Sequence, residues 1–312
     1  MNAPFFPISK EKKYEHAGIA VFSLAVCAIL FSVIAPDTRA LDGEATIITS
    51  LPSPDAFKEM SLTAKSAIVY DIQTGNILFA EHAEAQLPLA SLTKLITGVI
   101  AVETLGRDAV VTITEEALST EGDSGLRVGE RWRTEDLSAF ALITSSNDGA
   151  AALGASVREA VKMETYSGYM ARKITEMGLS QTYVVDSTGL DLSTSVAGAY
   201  GSAYDIARLL HYMYHNTPDL LFMSSEGTTT FTTLSGTRHT ATNTNPFTES
   251  TPGLLGSKTG FTDLAGGNLG IIVDVGINRP IAVVVLGSTR EGRFEDVRRL
   301  LERTHQHFAY AN

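Results

Sequence analysis

Strand patterns occur at both ends of the region that follows residue 58, whereas helical patterns fill its middle. Short apolar runs bounded by turn residues are typical of buried strands, and two lie near the start and three near the end. They cover residues 66–71, 77–80, 256–262, 269–275 and 281–286. A strand leaves backbone N–H and C=O groups unpaired until a neighbouring strand binds them, so these distant runs must meet in space. We therefore predict an α/β (α+β) fold in which both ends build one mostly antiparallel sheet, flanked by helices.

Helical periodicity between the strand runs predicts a lobe of helices beside this sheet. The first helix follows the second strand and carries apolar residues at helical spacing from Leu95 to Val102. A terminal amphipathic helix from Arg293 to Phe308 follows the last strand. Further helices are predicted over residues 134–142, 149–163 and 166–177 and from Ser202 onward.

The N-terminal segment has the pattern of a membrane anchor. Residues 1–16 are polar and contain three lysines, and residues 17–35 are apolar without a charge. As a helix, residues 17–35 would be about 28 Å long, enough to cross a bilayer core. The preceding lysines place residues 1–16 in the cytoplasm and the rest outside. We predict a single-pass signal anchor, with a cleavable signal peptide and a secreted domain as the alternative.

The rest of the chain divides into a linker and one domain. Residues 36–58 contain three prolines and little periodicity, as expected of a tether, and the domain covers residues 59–308. The only cysteine, Cys27, lies in the apolar segment, so no disulfide forms within the exported part. The formal net charge of -11 argues against nucleic acid as a partner.

A serine and a lysine lie three residues apart at the start of the first predicted helix. Ser91 and Lys94 would share one helix face, roughly 5–6 Å apart at Cβ. A lysine with a pKa near 10.4 is neutral in only about one molecule in 2,500 at pH 7. Burial or a nearby cation must supply about 3–4 kcal/mol to make Lys94 a base for the Ser91 hydroxyl. Alternatively, Ser91 caps the helix and Lys94 is solvated.

Two later motifs favour the catalytic alternative. Ser145-Ser146-Asn147 and Lys258-Thr259-Gly260 follow Ser91-x-x-Lys94 in the order known for penicillin-binding proteins and β-lactamases. The chain resembles the low-molecular-mass penicillin-binding proteins, the serine-type D-alanyl-D-alanine carboxypeptidases, over roughly residues 60–305. Other runs similar to that family are Tyr70-Asp71-x-x-Thr74-Gly75, Asn147-Asp148, Gly189-Leu190-Asp191, Lys258–Asp263 and Arg293-Phe294.

The resemblance implies a β-lactamase/penicillin-binding transpeptidase-like fold and a role for each motif residue. Ser91 would attack the carbonyl between two terminal D-alanines of a peptidoglycan stem peptide, and Lys94 would take its proton. Lys258 would be the nearby cation and would also hold the substrate carboxylate. Ser145 would pass a proton to the leaving amine, and Asn147 would orient Lys94 and the substrate amide.

The resemblance also implies the substrate-binding groups and the ligands. The strand residues Thr259 and Gly260 would bind the substrate with Lys258, and Thr259 would hydrogen-bond its carboxylate. The backbone N–H groups of Ser91 and Phe261 would form the oxyanion hole. β-Lactams are expected to acylate Ser91. No cofactor and no metal is expected, because His211 and His215 are four residues apart but lack a nearby acid.

Two features depart from the family pattern. Some members carry an arginine within an Asn-x-Asn run before Lys-Thr-Gly, where it binds the substrate carboxylate, whereas this chain has Asn243-Thr244-Asn245. Arg238 is close in sequence, but the sequence does not show that it substitutes. Many members also add a C-terminal β-rich domain and a membrane helix, whereas this chain stops at Asn312. The N-terminal anchor is therefore expected to tether the domain.

Four functions follow from these observations. The leading one is a D-Ala-D-Ala carboxypeptidase, and the second is a peptidoglycan endopeptidase with the same machinery, which the missing arginine makes more plausible. A β-lactamase of class A would need a Glu-x-x-Leu-Asn run, which is absent between residues 148 and 257. A non-catalytic wall-binding protein would have no need for the intact motifs.

Overall fold

The computed structural model describes residues 55–162 and 166–310. The strands are β1 (Ser66–Asp71), β2 (Ile77–Glu81), β3 (Leu87–Pro88), β4 (Val110–Thr112), β5 (Arg131–Arg133), β6 (Tyr183–Val184), β7 (Asp191–Ser193), β8 (Val196–Ala197), β9 (Ala199–Gly201), β10 (Thr228–Thr232), β11 (Arg238–Thr242), β12 (Leu254–Thr262), β13 (Gly266–Asp274) and β14 (Pro280–Ser288). The α-helices are α1 (Thr93–Leu105), α2 (Glu115–Leu118), α3 (Thr134–Thr144), α4 (Asn147–Ala160), α5 (Tyr166–Glu176), α6 (Ala203–Asn216), α7 (Pro218–Met223) and α8 (Gly292–Tyr310).

The main sheet has five strands in the order β12-β13-β14-β1-β2, and every neighbouring pair is antiparallel. The first strand of the domain therefore lies between its second strand and its last one. Ser66 is opposite Leu286 and Asp71 is opposite Ile281 in this pairing. The prediction of one sheet built from both ends of the chain is confirmed.

The two faces of the sheet contribute to two separate cores. On β1, Ile68 faces the helical lobe, and its neighbours Ala67 and Val69 face α8. All residues of β1 are buried, because both faces of this central strand are covered. The alternation of side chains along each strand thus divides the apolar residues between helical lobe and terminal helix.

The middle of the chain forms the predicted helical lobe. Helix α1 packs against α3 and α4, and its first ten residues, Thr93–Val102, are buried. A predicted helix starting near Ser202 is confirmed as α6, because the Ser202 side chain accepts the Asp205 N–H and caps its first turn. The Ser146 hydroxyl caps α4 in the same way through Gly149 N–H.

Short strands outside the main sheet form several smaller sheets. Strands β3, β9 and β6 form a three-stranded sheet, and β4–β5, β7–β8 and β10–β11 form two-stranded pairs. The helix that was predicted to begin at Ser91 begins instead at Thr93, after a short 3₁₀ turn over Ala90–Leu92. That turn gives the serine a different orientation from that of a residue inside the helix.

The predicted cytoplasmic segment 1–16, the anchor 17–35 and most of the linker 36–58 lie outside the described residues. Within residues 55–162 and 166–310, no helix combines the length and the apolar character needed to cross a membrane.

Candidate active site

Left-handed backbone conformations occur at the two places where the site serines lie. Ala90, directly before Ser91, has φ +49°, and Ser145 itself has φ +60° at the end of α3. Such conformations are strained for non-glycine residues and are often found at functional sites. The Thr93 hydroxyl donates a hydrogen bond to the Ala90 carbonyl at 2.7 Å and stabilises the turn. Ser91 remains partly exposed, so its hydroxyl is accessible to a substrate.

The Lys94 amine lies at the centre of the site. Its Nζ is 2.9 Å from Ser91 Oγ, 2.7 Å from Asn147 Oδ1 and 2.7 Å from the Thr188 carbonyl oxygen. The amide and carbonyl oxygens are acceptors only, so they hold two N–H bonds of Lys94 in either protonation state. The third tetrahedral direction of Nζ points at the Ser91 hydroxyl. A neutral Lys94 would therefore direct its lone pair at the proton that it must remove.

Burial is the main reason why Lys94 can serve as a base. Its side chain is 2% exposed, and this desolvation lowers its pKa to about 7, although Asp186 opposes the shift. The change from the ordinary value corresponds to about 5 kcal/mol. About half of the lysines would then be neutral at pH 7. Lys258 was expected to lower the pKa of Lys94, but burial is the cause of that shift, and the repulsion is seen only in the lowered pKa of Lys258.

Lys258 connects the second motif to the third. Its Nζ donates to Ser145 Oγ at 3.0 Å and to the Thr259 carbonyl at 2.8 Å, and its side chain is 1% exposed. Burial, Lys94 and Arg293 all lower the pKa of Lys258, in that order of size. The Ser145 oxygen thus accepts a hydrogen bond from the Lys258 amine, so that the hydroxyl proton of Ser145 can be donated to another group.

Threonine hydroxyls form the end of the site where the substrate carboxylate is expected. Thr259 Oγ1 lies 2.6 Å from Thr244 Oγ1. Thr244 occupies the position at which some family members carry an arginine, so a hydroxyl takes the place of a cation there. Arg238 is exposed at the start of β11, about 20 Å of extended chain before Thr244, and its partner across the hairpin is Thr232.

Gly260 allows the edge strand β12 to approach the nucleophile. A Cβ at this position would lie 3.0 Å from the Leu89 carbonyl oxygen and 3.2 Å from the Ser91 nitrogen. The Arg293 Nη1 donates to the Gly260 carbonyl at 2.6 Å and fixes the strand from the other side. Phe261 is the next residue on β12, so its backbone lies beside the turn that carries Ser91.

The loop over residues 187–189, which the sequence did not identify as catalytic, completes the site. The Thr188 carbonyl belongs to this loop, and the Thr97 hydroxyl donates to the neighbouring Ser187 carbonyl at 2.7 Å. A Cβ on Gly189 would lie only 2.0 Å from the Ala90 carbonyl oxygen, and Gly189 has φ +80°. The Gly189-Leu190-Asp191 run was the one signal that could have identified this loop.

The structure brings all of the predicted site residues together. Hydrogen bonds join Lys94 to Ser91 and Asn147, and a further one joins Lys258 to Ser145. Lys94 is near enough to lower the pKa of Lys258, and Thr259, Gly260 and Phe261 follow Lys258 on β12. In the described part of the chain, no group of three or more His, Cys, Asp and Glu side chains could hold a metal.

An antiparallel sheet with a helical lobe, and three motifs that meet at its edge strand, are the features of serine-type DD-peptidases. A family model described as D-alanyl-D-alanine carboxypeptidase matches residues 53–290. The chain belongs to this D-alanyl-D-alanine carboxypeptidase family.

Individual relatives agree with this assignment. The chain is 30% identical to the D-alanyl-D-alanine carboxypeptidase DacD of Salmonella typhimurium, over 92% of this chain and 72% of that protein. It is 29% identical to a D-alanyl-D-alanine endopeptidase of Pseudomonas aeruginosa, over 82% of each. The match to two other carboxypeptidases, from Escherichia coli and Bacillus subtilis, spans 64% and 62% of their length.

A solved structure has the same fold. Penicillin-binding protein D2 of Listeria monocytogenes, in its ampicillin-bound form, is similar with a TM-score of 0.66 and 27% identity. The similarity covers 78% of this chain and 98% of that chain.

Proposed function

We propose that the chain is a serine-type D-alanyl-D-alanine carboxypeptidase that removes the terminal D-alanine from peptidoglycan stem peptides. The observation that carries the proposal is the buried Lys94 amine, held by Asn147 Oδ1 and the Thr188 carbonyl with its remaining direction toward Ser91. This arrangement prepares a base for one particular hydroxyl. Membership of the carboxypeptidase family supports the substrate.

Acylation follows from the contacts of the site. Neutral Lys94 takes the Ser91 proton while Ser91 Oγ forms a bond to the carbonyl carbon between the two D-alanines. The carbonyl electrons move to its oxygen, which the N–H groups of Ser91 and Phe261 are proposed to bind. The C–N bond then breaks. Ser145 gives its proton to the departing nitrogen, and D-alanine leaves.

Deacylation returns the enzyme to its starting state. After D-alanine has left, the protonated Lys94 gives up its proton and the Ser145 oxygen regains one, so that Lys94 is again neutral and the Ser145 hydroxyl is restored. A water molecule then loses a proton to Lys94 and attacks the ester carbonyl of the acylated Ser91. The ester bond breaks, Ser91 Oγ regains the proton, and the shortened stem peptide leaves.

The test uses the full chain in detergent with a peptide of the diacetyl-Lys-D-Ala-D-Ala type and with penicillin. We expect release of free D-alanine, a penicillin adduct seen by intact mass, and loss of both in Ser91→Ala. An Arg279→Gln variant serves as a folded control far from the site. Absence of any adduct would contradict the assignment of Ser91, and rapid penicillin turnover would indicate a β-lactamase.

An endopeptidase is the second candidate, because Thr244 rather than an arginine contacts Thr259. A site without that cation selects a free terminal carboxylate less strongly, so a cross-linked peptide could also enter. The Pseudomonas aeruginosa relative carries the endopeptidase name. Incubation with purified cross-linked muropeptides distinguishes the carboxypeptidase from the endopeptidase. An endopeptidase converts muropeptide dimers to monomers without releasing free D-alanine.

We also propose that residues 17–35 anchor the protein as a single membrane span, with the peptidase domain on the outer face. The uncharged apolar run and the preceding lysines support this proposal. Protease treatment of intact spheroplasts should digest the domain while leaving a small membrane-bound fragment. Recovery of a mature chain that begins near residue 41 would show cleavage instead.

A further inference from the structure

Two consecutive glycines on β13 let the turn between β14 and α8 close against the sheet. A Cβ on Gly266 would lie 2.7 Å from the Ser288 carbonyl oxygen, and a Cβ on Gly267 would lie 2.0 Å from the Thr289 carbonyl oxygen. Side chains do not tolerate contacts this short, so a larger residue at either position would push the turn away. The β13–β14 pairing also shifts register between Gly267 and Leu269. The local sequence therefore holds the turn close to the sheet.

This turn places Arg290 on the aromatic face of Phe261. The guanidinium carbon is 3.8 Å from the ring centroid, and Phe261 is paired with Gly267 on the neighbouring strand. Arg290 is exposed, and within the described residues no carboxylate lies at ion-pair distance from it. A guanidinium stacked on a ring keeps N–H donors available at its edges. Arg290 is thus an oriented cation that faces solvent beside the site.

The direction of β12 determines which part of the substrate passes this cation. Lys258 and Thr259 are assigned to the terminal carboxylate, and Phe261 is assigned to the oxyanion of the scissile carbonyl. Phe261 follows Thr259 by two residues along β12, so the scissile carbonyl lies further along the strand than the terminal carboxylate. The acyl part of the peptide must then continue past Phe261 toward Thr262. Arg290 lies at that end.

Arg290 is the accessible cation at this end of β12. Its neighbour Arg293 is buried and donates to the Gly260 carbonyl, and burial and Arg290 lower the pKa of Arg293 to about 10. The nearby carboxylate of Asp191 already accepts the Thr262 hydroxyl and the Leu264 N–H. An exposed guanidinium attracts and orients an anionic group, so an acidic side chain on the acyl part of the substrate can bind to Arg290.

We propose that Arg290 is a specificity residue that binds a side-chain carboxylate on the residue preceding the two terminal D-alanines. The inference rests on the proposed function, because the assignment of the acyl end follows from the roles of Lys258, Thr259 and Phe261. The stacking on Phe261 gives the guanidinium a fixed position, so a carboxylate can be bound by two parallel N–H donors. Substrates with an amide at that position would lose this contact.

The test compares matched peptides with the full chain in detergent. Two N-acetyl-X-D-Ala-D-Ala peptides carry X as a 2-aminopimelyl residue, one with the free side-chain carboxylate and one with the corresponding amide. We expect about a tenfold preference in kcat/KM for the acid. In Arg290→Gln this preference should disappear, because kcat/KM should fall for the acid peptide and stay unchanged for the amide peptide. Arg290→Lys should keep part of it, and Arg279→Gln, which removes a similar stacked arginine over Phe308, should keep all of it.

A binding measurement separates this inference from the proposed function. The same two peptides are titrated into Ser91→Ala and into the Ser91→Ala, Arg290→Gln double variant by calorimetry. A preference for the acid that depends on Arg290 supports the inference even when no D-alanine is released by the wild-type chain. Equal affinity of the two peptides for Ser91→Ala, or an equal loss on both peptides in Arg290→Gln, overturns it. Absence of D-alanine release and of a penicillin adduct contradicts only the proposed function.

Discussion

At the scale of single residues, the site combines one exposed nucleophile with two buried lysines. Ser91 is partly exposed, whereas Lys94 and Lys258 are almost completely buried. Burial disfavours the protonated form of both amines, and their repulsion disfavours two charges in one site. The hydrogen bond from Lys258 to Ser145 and the contacts of Lys94 with acceptors allow the two lysines different roles.

The pH dependence of acylation tests this assignment. Because the pKa of Lys94 is lowered to about 7, the reactive neutral form should increase through neutral pH. We expect the second-order rate of penicillin acylation to fall about tenfold per pH unit well below 7 and to level off above it. Stopped-flow or quenched mass measurements from pH 5 to 9 provide the profile. A rate independent of pH between 5.5 and 8 would show that another group is the base, and Lys94→Ala should lose activity throughout.

Thr244 is the residue for which a substitution should improve activity. An arginine at this position would add a cation beside Thr259, where the substrate carboxylate is proposed to bind. We expect Thr244→Arg to lower KM for peptides with a free terminal carboxylate by about tenfold, with a smaller effect on amidated peptides. Thr242→Arg adds the same charge on exposed β11 and is the matched control. Equal effects of both variants would indicate a general electrostatic attraction instead.

Residue identities in the site were predictable because the motifs are local. Ser91 with Lys94, and Ser145 with Asn147, are each within three positions of one another, so spacing alone indicates their proximity. The Thr188 carbonyl was not predictable, since any residue supplies the same backbone oxygen. The stacking of Arg290 on Phe261 was not predictable either, because it depends on how the turn between β14 and α8 packs against β13. Hydrophobic periodicity gives no information about that packing.

At the scale of elements, the nucleophile depends on contacts between three separate segments. The 3₁₀ turn Ala90–Leu92 is held between β12, through Gly260, and the loop that contains Gly189. Each of these glycines faces backbone atoms of the turn, so neither segment can move without the other. Ser91 is therefore positioned by close backbone packing as well as by hydrogen bonds.

Gly189→Ala should disturb this packing strongly. Its Cβ would lie 2.0 Å from the Ala90 carbonyl oxygen, and the φ of +80° is unfavourable for alanine. We expect acylation to fall at least a hundredfold and the free energy of unfolding to fall by about 2–4 kcal/mol. Gly236→Ala is the control, because Gly236 has a similar φ of +87° but open space where the Cβ would lie. It therefore measures the backbone strain alone, about 1 kcal/mol, without the steric clash. Penicillin acylation and urea unfolding measure the two effects, and equal results for both variants would refute the packing argument.

The pattern of elements was largely predictable, whereas their boundaries and small sheets were not. The five apolar runs bounded by turn residues predicted the strands of the main sheet, because the hydrophobic pattern of a segment indicates which of its residues are buried. The pairs β4–β5 and β7–β8 contain three or fewer residues per strand, which is too short for a periodic signal. The start of α1 at Thr93 rather than Ser91 depends on the positive φ of Ala90, which tertiary contacts impose.

At the scale of the whole molecule, the terminal helix connects the two ends of the domain. The Asp296 carboxylate accepts hydrogen bonds from the Thr63 and Ala64 N–H groups at 2.9 Å and from the Ser288 hydroxyl at 2.7 Å. It is 1% exposed. One side chain on α8 therefore satisfies the backbone where the chain enters β1 and a hydroxyl at the end of β14.

Removal of this carboxylate should destabilise the entire domain. Asp296→Ala would leave the buried Ala64 N–H and the partly buried Thr63 N–H without an acceptor, and a buried group without a partner costs about 1–3 kcal/mol. We expect the free energy of unfolding to fall by about 3 kcal/mol in urea titrations. Glu295→Ala is the control, because its ion pairs with Arg298 and Arg299 are exposed to solvent and contribute little to stability. A smaller loss for Asp296→Ala than for Glu295→Ala would contradict this role.

The position of β1 between β2 and β14 also determines when the domain can fold. During synthesis the ribosome produces β1 more than 200 residues before its partner, since Ser66 pairs with Leu286. Until β14 is made, one edge of β1 has no neighbour, and the two cores cannot close. Folding should therefore begin only when the chain is nearly complete. Until then, the strands that are made first keep backbone N–H and C=O groups without a partner strand.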